Sequence, residues 1–159
     1  MEEAAEETGG VLALENLRFT DHLHAALAAL HSPRVGFCYD SGHHYLSGPQ
    51  EDLLGRYGSR LAALHLHDND GTGDWHALPF DGSIDWRTLA ARLAATGYAG
   101  ALSLEVQAYE RYEGRIGPRE FLAQARAALE RIRQYQEECS VMAGLQPNPA
   151  VENFRQKLK

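Results

Sequence analysis

LAALHLHDNDGTGDWHALPFDGSIDW, residues 61–86, decides how this chain reads. It opens as an apolar strand, Leu61 to Leu66, and runs into His65, His67, Asp68, Asn69 and Asp70. A glycine turn follows, then Asp74 and His76, before Asp85 begins a helical pattern. A globular core has no structural need for so many metal-type and acid–base side chains in one short stretch. The stretch reads as one wall of an active site. His65 and His67 share a parity and therefore a face of the strand. His65 lies nearer the strand end and is the expected ligand. His67 is expected to line the mouth, although the spacing alone leaves either histidine open.

Working outward, the same strand-then-helix pattern occurs four times. Val11–Leu14 is a short apolar run ending at Glu15, and a helix capped by Thr20 or Asp21 runs to about Leu30. Its apolar face is Leu23, Ala26, Leu27 and Leu30. Val35–Tyr39 ends at Asp40, then Ser41, Gly42, His43 and His44 fall in a loop, and a short helix spans Gln50 to Tyr57. After the third strand, Asp85 caps a helix over Trp86–Ala95, with Leu89 and Leu93 facing inward and Gly97 past its end. Ala101–Leu104 is the fourth strand, ending at Glu105, and Pro118 opens a helix to about Gln136. The expected stripe of that last helix is Phe121, Leu122, Ala125, Leu129 and Ile132. Short, wholly apolar strands of this kind belong to a parallel sheet covered by helices, an α/β fold. The domain spans residues 1–137. A tail over 138–159 holds Gly144, Pro147 and Pro149, with a helical turn expected at Val151 to Leu158.

Each strand therefore ends in a metal-type side chain: Glu15, Asp40, His65 and Glu105. In α/β folds the carboxyl ends of parallel strands form the crevice, so the four converge on one point. A single carboxylate after a strand is usually a cap or a solvated loop residue. Four inward-aimed groups together carry a desolvation cost that a cation relieves. Three carboxylates and an imidazole suit one divalent ion, Mn²⁺, Mg²⁺, Co²⁺ or Zn²⁺. His22, His24, His31 and His44 read as helix-surface or loop positions.

Composition narrows the function. The 159 residues carry a formal net charge of −7, a poor match for a nucleic-acid backbone. Cys38 and Cys139 form no metal or redox motif, which fits a reducing cytoplasm. No apolar run approaches membrane-spanning length, and MEEAAEETGG lacks the pattern of a signal peptide.

Five stretches together resemble the xylose isomerase-like TIM-barrel superfamily of sugar isomerases and epimerases, inosose dehydratases and endonuclease IV-type enzymes. They are LALENL at Glu15, FCYDSGHHYL at Asp40 and His43, LHLHDND at His65, DWHALPFDGSIDW at Asp74 and His76, and GYAGALSLEV at Glu105. The resemblance implies that Glu15, Asp40, His65 and Glu105 are the metal ligands. It gives Glu15 and Glu105 the roles of base and acid. It makes His43 a contact to substrate or to a second metal, and Asp74 and His76 pocket residues or, in the endonuclease branch, further ligands. A complete barrel of this kind takes about 250 residues. The four βα units here match strands 5–8, a half or truncated barrel with exposed edge strands at Val11–Leu14 and Ala101–Leu104. Such edges invite either a second copy of the chain or the missing N-terminal half. The implied activity is a divalent-metal-dependent isomerase or epimerase acting on a sugar, sugar phosphate or inosose by proton transfer through an enediolate. The alternatives are an endonuclease IV-like phosphodiesterase and a non-catalytic half-barrel fragment.

Overall fold

The computed structural model describes residues 2–48, 51–108 and 111–142. Helix α1 (Glu2–Thr8) leads into strand β1 (Leu12–Glu15), helix α2 (Asp21–Ala29) and strand β2 (Val35–Asp40). Helices α3 (Ser41–Ser47) and α4 (Leu53–Tyr57) precede strand β3 (Leu61–His65), and helices α5 (Trp86–Ala95) and α6 (Pro118–Met142) follow. The three strands form one parallel sheet in the order β1-β2-β3. Asp40 pairs with His65, so the ends of β2 and β3 lie level, while Glu15 at the end of β1 pairs with Cys38, two residues short of Asp40. The α/β architecture and the parallel sheet expected from the hydrophobic pattern are therefore present.

The fourth strand is reduced. Ala101–Leu104 runs alongside β3 but makes only a single parallel bridge, Leu66 to Leu104. Leu66 N–H donates to Ser103 O at 2.9 Å, and Glu105 N–H donates to Leu66 O at 3.1 Å. That one bridge suffices to bring Glu105 beside the ends of the three strands.

One face of the sheet is packed. Phe37, Tyr39, Leu64 and Leu66 are buried against Leu23 and Leu27 of α2, Trp86, Leu89 and Leu93 of α5, and Ile132 of α6. In α2 and α5 the buried residues recur one turn apart, as an amphipathic helix requires. Asp85 caps α5 by accepting from Thr88 N–H at 3.1 Å, and Gly97 ends it with φ +71°, a conformation that costs a glycine little.

Several local expectations change. Residues 41–47 are helical rather than a loop, because the Asp40 carboxylate accepts from His43 N–H at 2.7 Å and caps the turn. Helix α4 starts at Leu53 behind Asp52, whose carboxylate accepts from Gly55 N–H; Gln50 lies outside the described residues. Thr20 precedes α2 without capping it, since its hydroxyl donates instead to Glu51 at 2.9 Å. Helix α6 continues past Gln136 to Met142, and its buried stripe is Phe121, Ala125, Ala128 and Ile132. Leu122, one position off that stripe, is 67 % exposed. The turn expected at Val151 to Leu158 lies outside the described residues. No helix among the described residues is long and apolar enough to cross a membrane.

Candidate metal centre

The carboxyl ends of the strands converge as the spacing predicts. Glu15, Asp40, His65 and Glu105 each offer a ligand atom, all within 4.8 Å of one another. His65 Nδ1 lies 3.2 Å from Glu15 Oε2 and 2.9 Å from Glu105 Oε2. Asp40 is wholly buried. Asn16, also buried, holds it in place: its amide donates to Asp40 O at 2.9 Å, and its Oδ1 accepts from Asp40 N–H at 2.8 Å. Asn16 carries no signal of its own in the sequence, being one of several polar residues after a strand. Only the pairing across β1 and β2 reveals its part.

A second group lies beside the first. His43, His67, Asp74 and His76 also bring ligand atoms within 4.8 Å of one another. His43 Nε2 is 3.1 Å from Asp74 Oδ2, and His76 Nε2 is 3.4 Å from the same oxygen. The two groups meet at Asp40 Oδ1, which lies 3.0 Å from His67 Nε2 and 3.5 Å from His43 Nδ1. His67 therefore does not line the mouth. It is fully enclosed, because Ser41 Oγ donates to His67 O and accepts from His67 N–H, clamping the chain beyond β3 against the start of α3. The imidazole stacks on His76 with ring centroids 4.1 Å apart. Gly42 leaves the room for it: a Cβ there would meet three atoms of the His67 ring.

The hydrogen-bond pattern bears on whether a cation fits. Asp40 Oδ2, His65 Nδ1, both ring nitrogens of His67, and Glu105 Oε2 are buried and make no hydrogen bond within the protein. Several sit close to a neighbouring ligand-type atom, yet not in the alignment a hydrogen bond needs. Buried polar atoms without partners are costly. Atoms that crowd one another without bonding are placed to share a third centre, and three carboxylates with an imidazole match a hard or borderline divalent ion. The residues present thus fit a divalent metal.

The electrostatics agree. Burial and the Asp40 charge push Glu15 above the usual carboxylate range, although His65 and His43 pull the other way. For Asp40, burial acts upward, but the contacts from His67 and His43 outweigh it and hold the group below its ordinary value. Burial would lower His43, yet Asp40, Asp74 and Glu15 together raise it. Burial, with Glu15, Asp40 and Glu105 adding, pushes the Cys38 thiol up to about 12, so this cysteine stays protonated beside the site.

Two further polar residues have structural posts that the sequence does not disclose. Asp68 is wholly buried and accepts from Asn69 N–H, Ile84 N–H, Phe80 N–H and the Trp86 indole N–H. It folds the 68–86 loop so that His76, with φ +43°, places Nδ1 2.8 Å from Glu105 O. His44 is not a surface histidine either. It is buried between the Tyr39 hydroxyl and Glu51 O, each 2.8 Å away. His24 pairs with Glu51 and the Tyr57 hydroxyl, while His22 and His31 are exposed as expected.

Residues 1–135 match the family described as the xylose isomerase-like TIM barrel. The chain belongs to that family. Among xylose isomerase-like relatives, the fructoselysine 3-epimerase of Escherichia coli O157:H7 is 32 % identical over 137 residues, which is 80 % of this chain and 50 % of that protein. An uncharacterised protein of Sinorhizobium fredii, y4fM, is 50 % identical over 72 residues, 45 % of this chain and 23 % of its own length. The solved structure of a D-tagatose 3-epimerase-like protein superposes with a TM-score of 0.70 at 22 % identity, covering 89 % of this chain and 52 % of that one. A fusion of a xylose isomerase-like TIM barrel with a 4-hydroxyphenylpyruvate dioxygenase gives 0.73 at 21 % identity, covering 93 % of this chain and 26 % of that one. The chain spans half the length of the fructoselysine epimerase it matches, as a half barrel does.

Proposed function

We propose that this chain carries the metal-holding half of a divalent-metal-dependent isomerase or epimerase acting on a sugar, sugar phosphate or inosose. The observation that carries the reading is the Glu15, Asp40, His65 and Glu105 group, with its buried and unbonded ligand atoms. The 3-epimerase relative supports a carbohydrate substrate. A Mn²⁺, Mg²⁺, Co²⁺ or Zn²⁺ ion bound there supplies Lewis-acid polarisation of a carbonyl, which acidifies the adjoining C–H.

The chain's own groups handle the proton. Glu15 Oε2 and Glu105 Oε2 lie 3.2 and 2.9 Å from His65 Nδ1, and in this reading the two carboxylates serve opposite faces of a substrate carbon. One carboxylate removes the proton and the other, in acid form, returns one to the far face. Burial and the Asp40 charge raise the affinity of Glu15 for a proton, the direction an acid–base role needs. His43, Asp74 and His76 shape the approach to these carboxylates, whereas enclosed His67 lies against Asp40. Free thiols at Cys38 and Cys139 fit work in a reducing compartment such as the cytoplasm.

The test is metal analysis on a size-exclusion peak, followed by solvent-deuterium incorporation into ketose and inosose substrates. One equivalent of metal, lost in Asp40→Ala and Glu105→Ala, is the expected result. A chain that takes up no Mn²⁺, Co²⁺ or Zn²⁺ at saturation overturns the proposal. One observation favours a second reading. The His43, His67, Asp74 and His76 group offers a further ion a place, as a multi-metal phosphodiesterase of the endonuclease IV type requires. That reading predicts more than one zinc per chain and cleavage of abasic DNA. Metal binding with no turnover of any of these substrates would identify a half barrel without catalysis of its own.

A further inference from the structure

Cys38 lies beside the strand-end ligands but outside both four-residue groups. On β2 it stands two residues before Asp40, so both side chains fall on one face. Phe37 and Tyr39 take the other face, against the helices. The register sets Cys38 level with Glu15 on one side and with Ala63 on the other, while Asp40 is level with His65. Sequence spacing gives Cys38 no metal motif, because its neighbours arrive from β1 and β3. The fold brings them together: Cys38 Sγ, a Glu15 carboxylate oxygen and a His65 ring nitrogen all lie within 4.8 Å of one another.

Two further observations point to a cation here. His65 Nδ1 is buried and makes no hydrogen bond, although Glu15 Oε2 and Glu105 Oε2 stand 3.2 and 2.9 Å away. Asp40 Oδ2, on a wholly buried side chain, also lacks a hydrogen bond. Cys38 itself is only 3 % exposed. A buried thiol is usually inert packing. This one differs in having an imidazole and a carboxylate within one ion's reach.

The two donor sets differ in softness. Glu15, Asp40, His65 and Glu105 offer three carboxylates and an imidazole, a set that hard Mg²⁺ and Mn²⁺ accept. Glu15, Cys38 and His65 offer oxygen, sulfur and nitrogen, a set that favours thiophilic ions such as Zn²⁺, Co²⁺ or Cd²⁺. We propose that Cys38, Glu15 and His65 form a second, thiolate-containing position for a thiophilic divalent ion, deeper along β2 than the carboxylate-rich one. As the metal–sulfur bond forms, the S–H bond breaks and its proton passes to solvent. The positions share Glu15 and His65, and two dications held by the same pair of side chains repel strongly at low dielectric. They are therefore alternatives for one ion: hard ions sit with Asp40 and Glu105, thiophilic ions with Cys38. The inference rests on the metal site of the proposed function and deepens it, and its test separates the two.

The experiment titrates the full chain with Co²⁺ and follows the absorption spectrum. Visible d–d bands report Co²⁺ uptake, and a sulfur-to-cobalt charge-transfer band in the near ultraviolet reports a thiolate ligand. Both are expected in the parent chain and in Cys139→Ser. Cys38→Ser and Cys38→Ala should keep the visible bands, which also shows that they fold, and lose the charge-transfer band. Calorimetric titration should find Cd²⁺ affinity lowered at least about tenfold in Cys38→Ser, a loss that even outer-shell partners of a metal cause, with Mn²⁺ affinity unchanged. Co²⁺ uptake without a thiolate band, a band that survives Cys38→Ser, or equal losses of Cd²⁺ and Mn²⁺ affinity would overturn the inference and leave the carboxylate-rich site standing. No Co²⁺ uptake by the parent chain would overturn both.

Discussion

Gly42→Ala sets two physical effects against each other. Gly42 lies in the first turn of α3, where alanine would ordinarily stabilise a helix by up to about 1 kcal/mol over glycine. The packing says the opposite. A Cβ on Gly42 would stand 2.6 Å from His67 Nε2, and closer still to Cε1 and Nδ1. Restoring an ordinary contact of about 3.4 Å to Nε2 alone means moving the ring by roughly 0.8 Å. The ring has nowhere to go, since it is fully buried and stacked on His76. Overpacking of this kind costs about 1–3 kcal/mol, which in a domain of this size lowers the melting temperature by roughly 2–12 °C. Metal sites tolerate ligand displacements of only about 0.2 Å. The shift therefore removes His67 from the His43, Asp74 and His76 group while leaving Glu15, His65 and Glu105 in place. Calorimetry of the metal-free protein, with Co²⁺ titration followed by absorbance, reads both effects. Gly117→Ala, where an added Cβ meets nothing within 4 Å, is the control. A Gly42→Ala protein as stable as the parent would refute the reasoning.

Three other outcomes follow from the same geometry. Asp40→Asn keeps a capping side chain for α3 but removes the charge between the two ligand groups; a metal at one hundred times its dissociation constant adds about 2.7 kcal/mol to the parent chain, and differential scanning calorimetry should find most of that increment missing in the variant. Burial lowers the His44 pKa, so its neutral form is favoured in the folded chain. Its contribution is complete above the unfolded value near 6.5 and declines as pH falls through the interval below it. The slope of unfolding free energy between pH 6.5 and 5 should be shallower in His44→Gln, whereas an unchanged slope would contradict the assignment; His43, raised and present in both proteins, cancels from the difference. Asp68→Asn turns an amide donor toward groups that are themselves donors. A cost of about 3 kcal/mol and faster amide exchange across residues 68–86 are expected, from hydrogen bonds to charged groups of about 1.5–3 kcal/mol each; an exchange pattern like the parent's would remove Asp68 from its post.

Local periodicity and strand-end chemistry were readable from the chain alone. The unbroken apolar run of VGFCY marks a strand buried on both faces, as all six residues of β2 are, and each strand stops at a side chain suited to a cation, so Glu15, Asp40, His65 and Glu105 stand out in the chain alone. Helix α5 was equally legible, because Asp85, the Leu89 and Leu93 pair and Gly97 are all short-range signals. What depends on contacts across the sheet was not legible. Parity puts His65 and His67 on one face, and only the Ser41 clamp and the space over Gly42 decide that one opens toward solvent and the other is enclosed. Asn16, Asp68 and His44 look like ordinary polar residues until partners 24, 18 and 5 positions away close around them. The same holds for the extent of the fourth strand. Propensity marks Ala101–Leu104 as extended, but how many ladder bonds it makes depends on what lies along its other edge. Side-chain type and spacing are properties of the chain by itself; enclosure and alignment are properties of what packs against it.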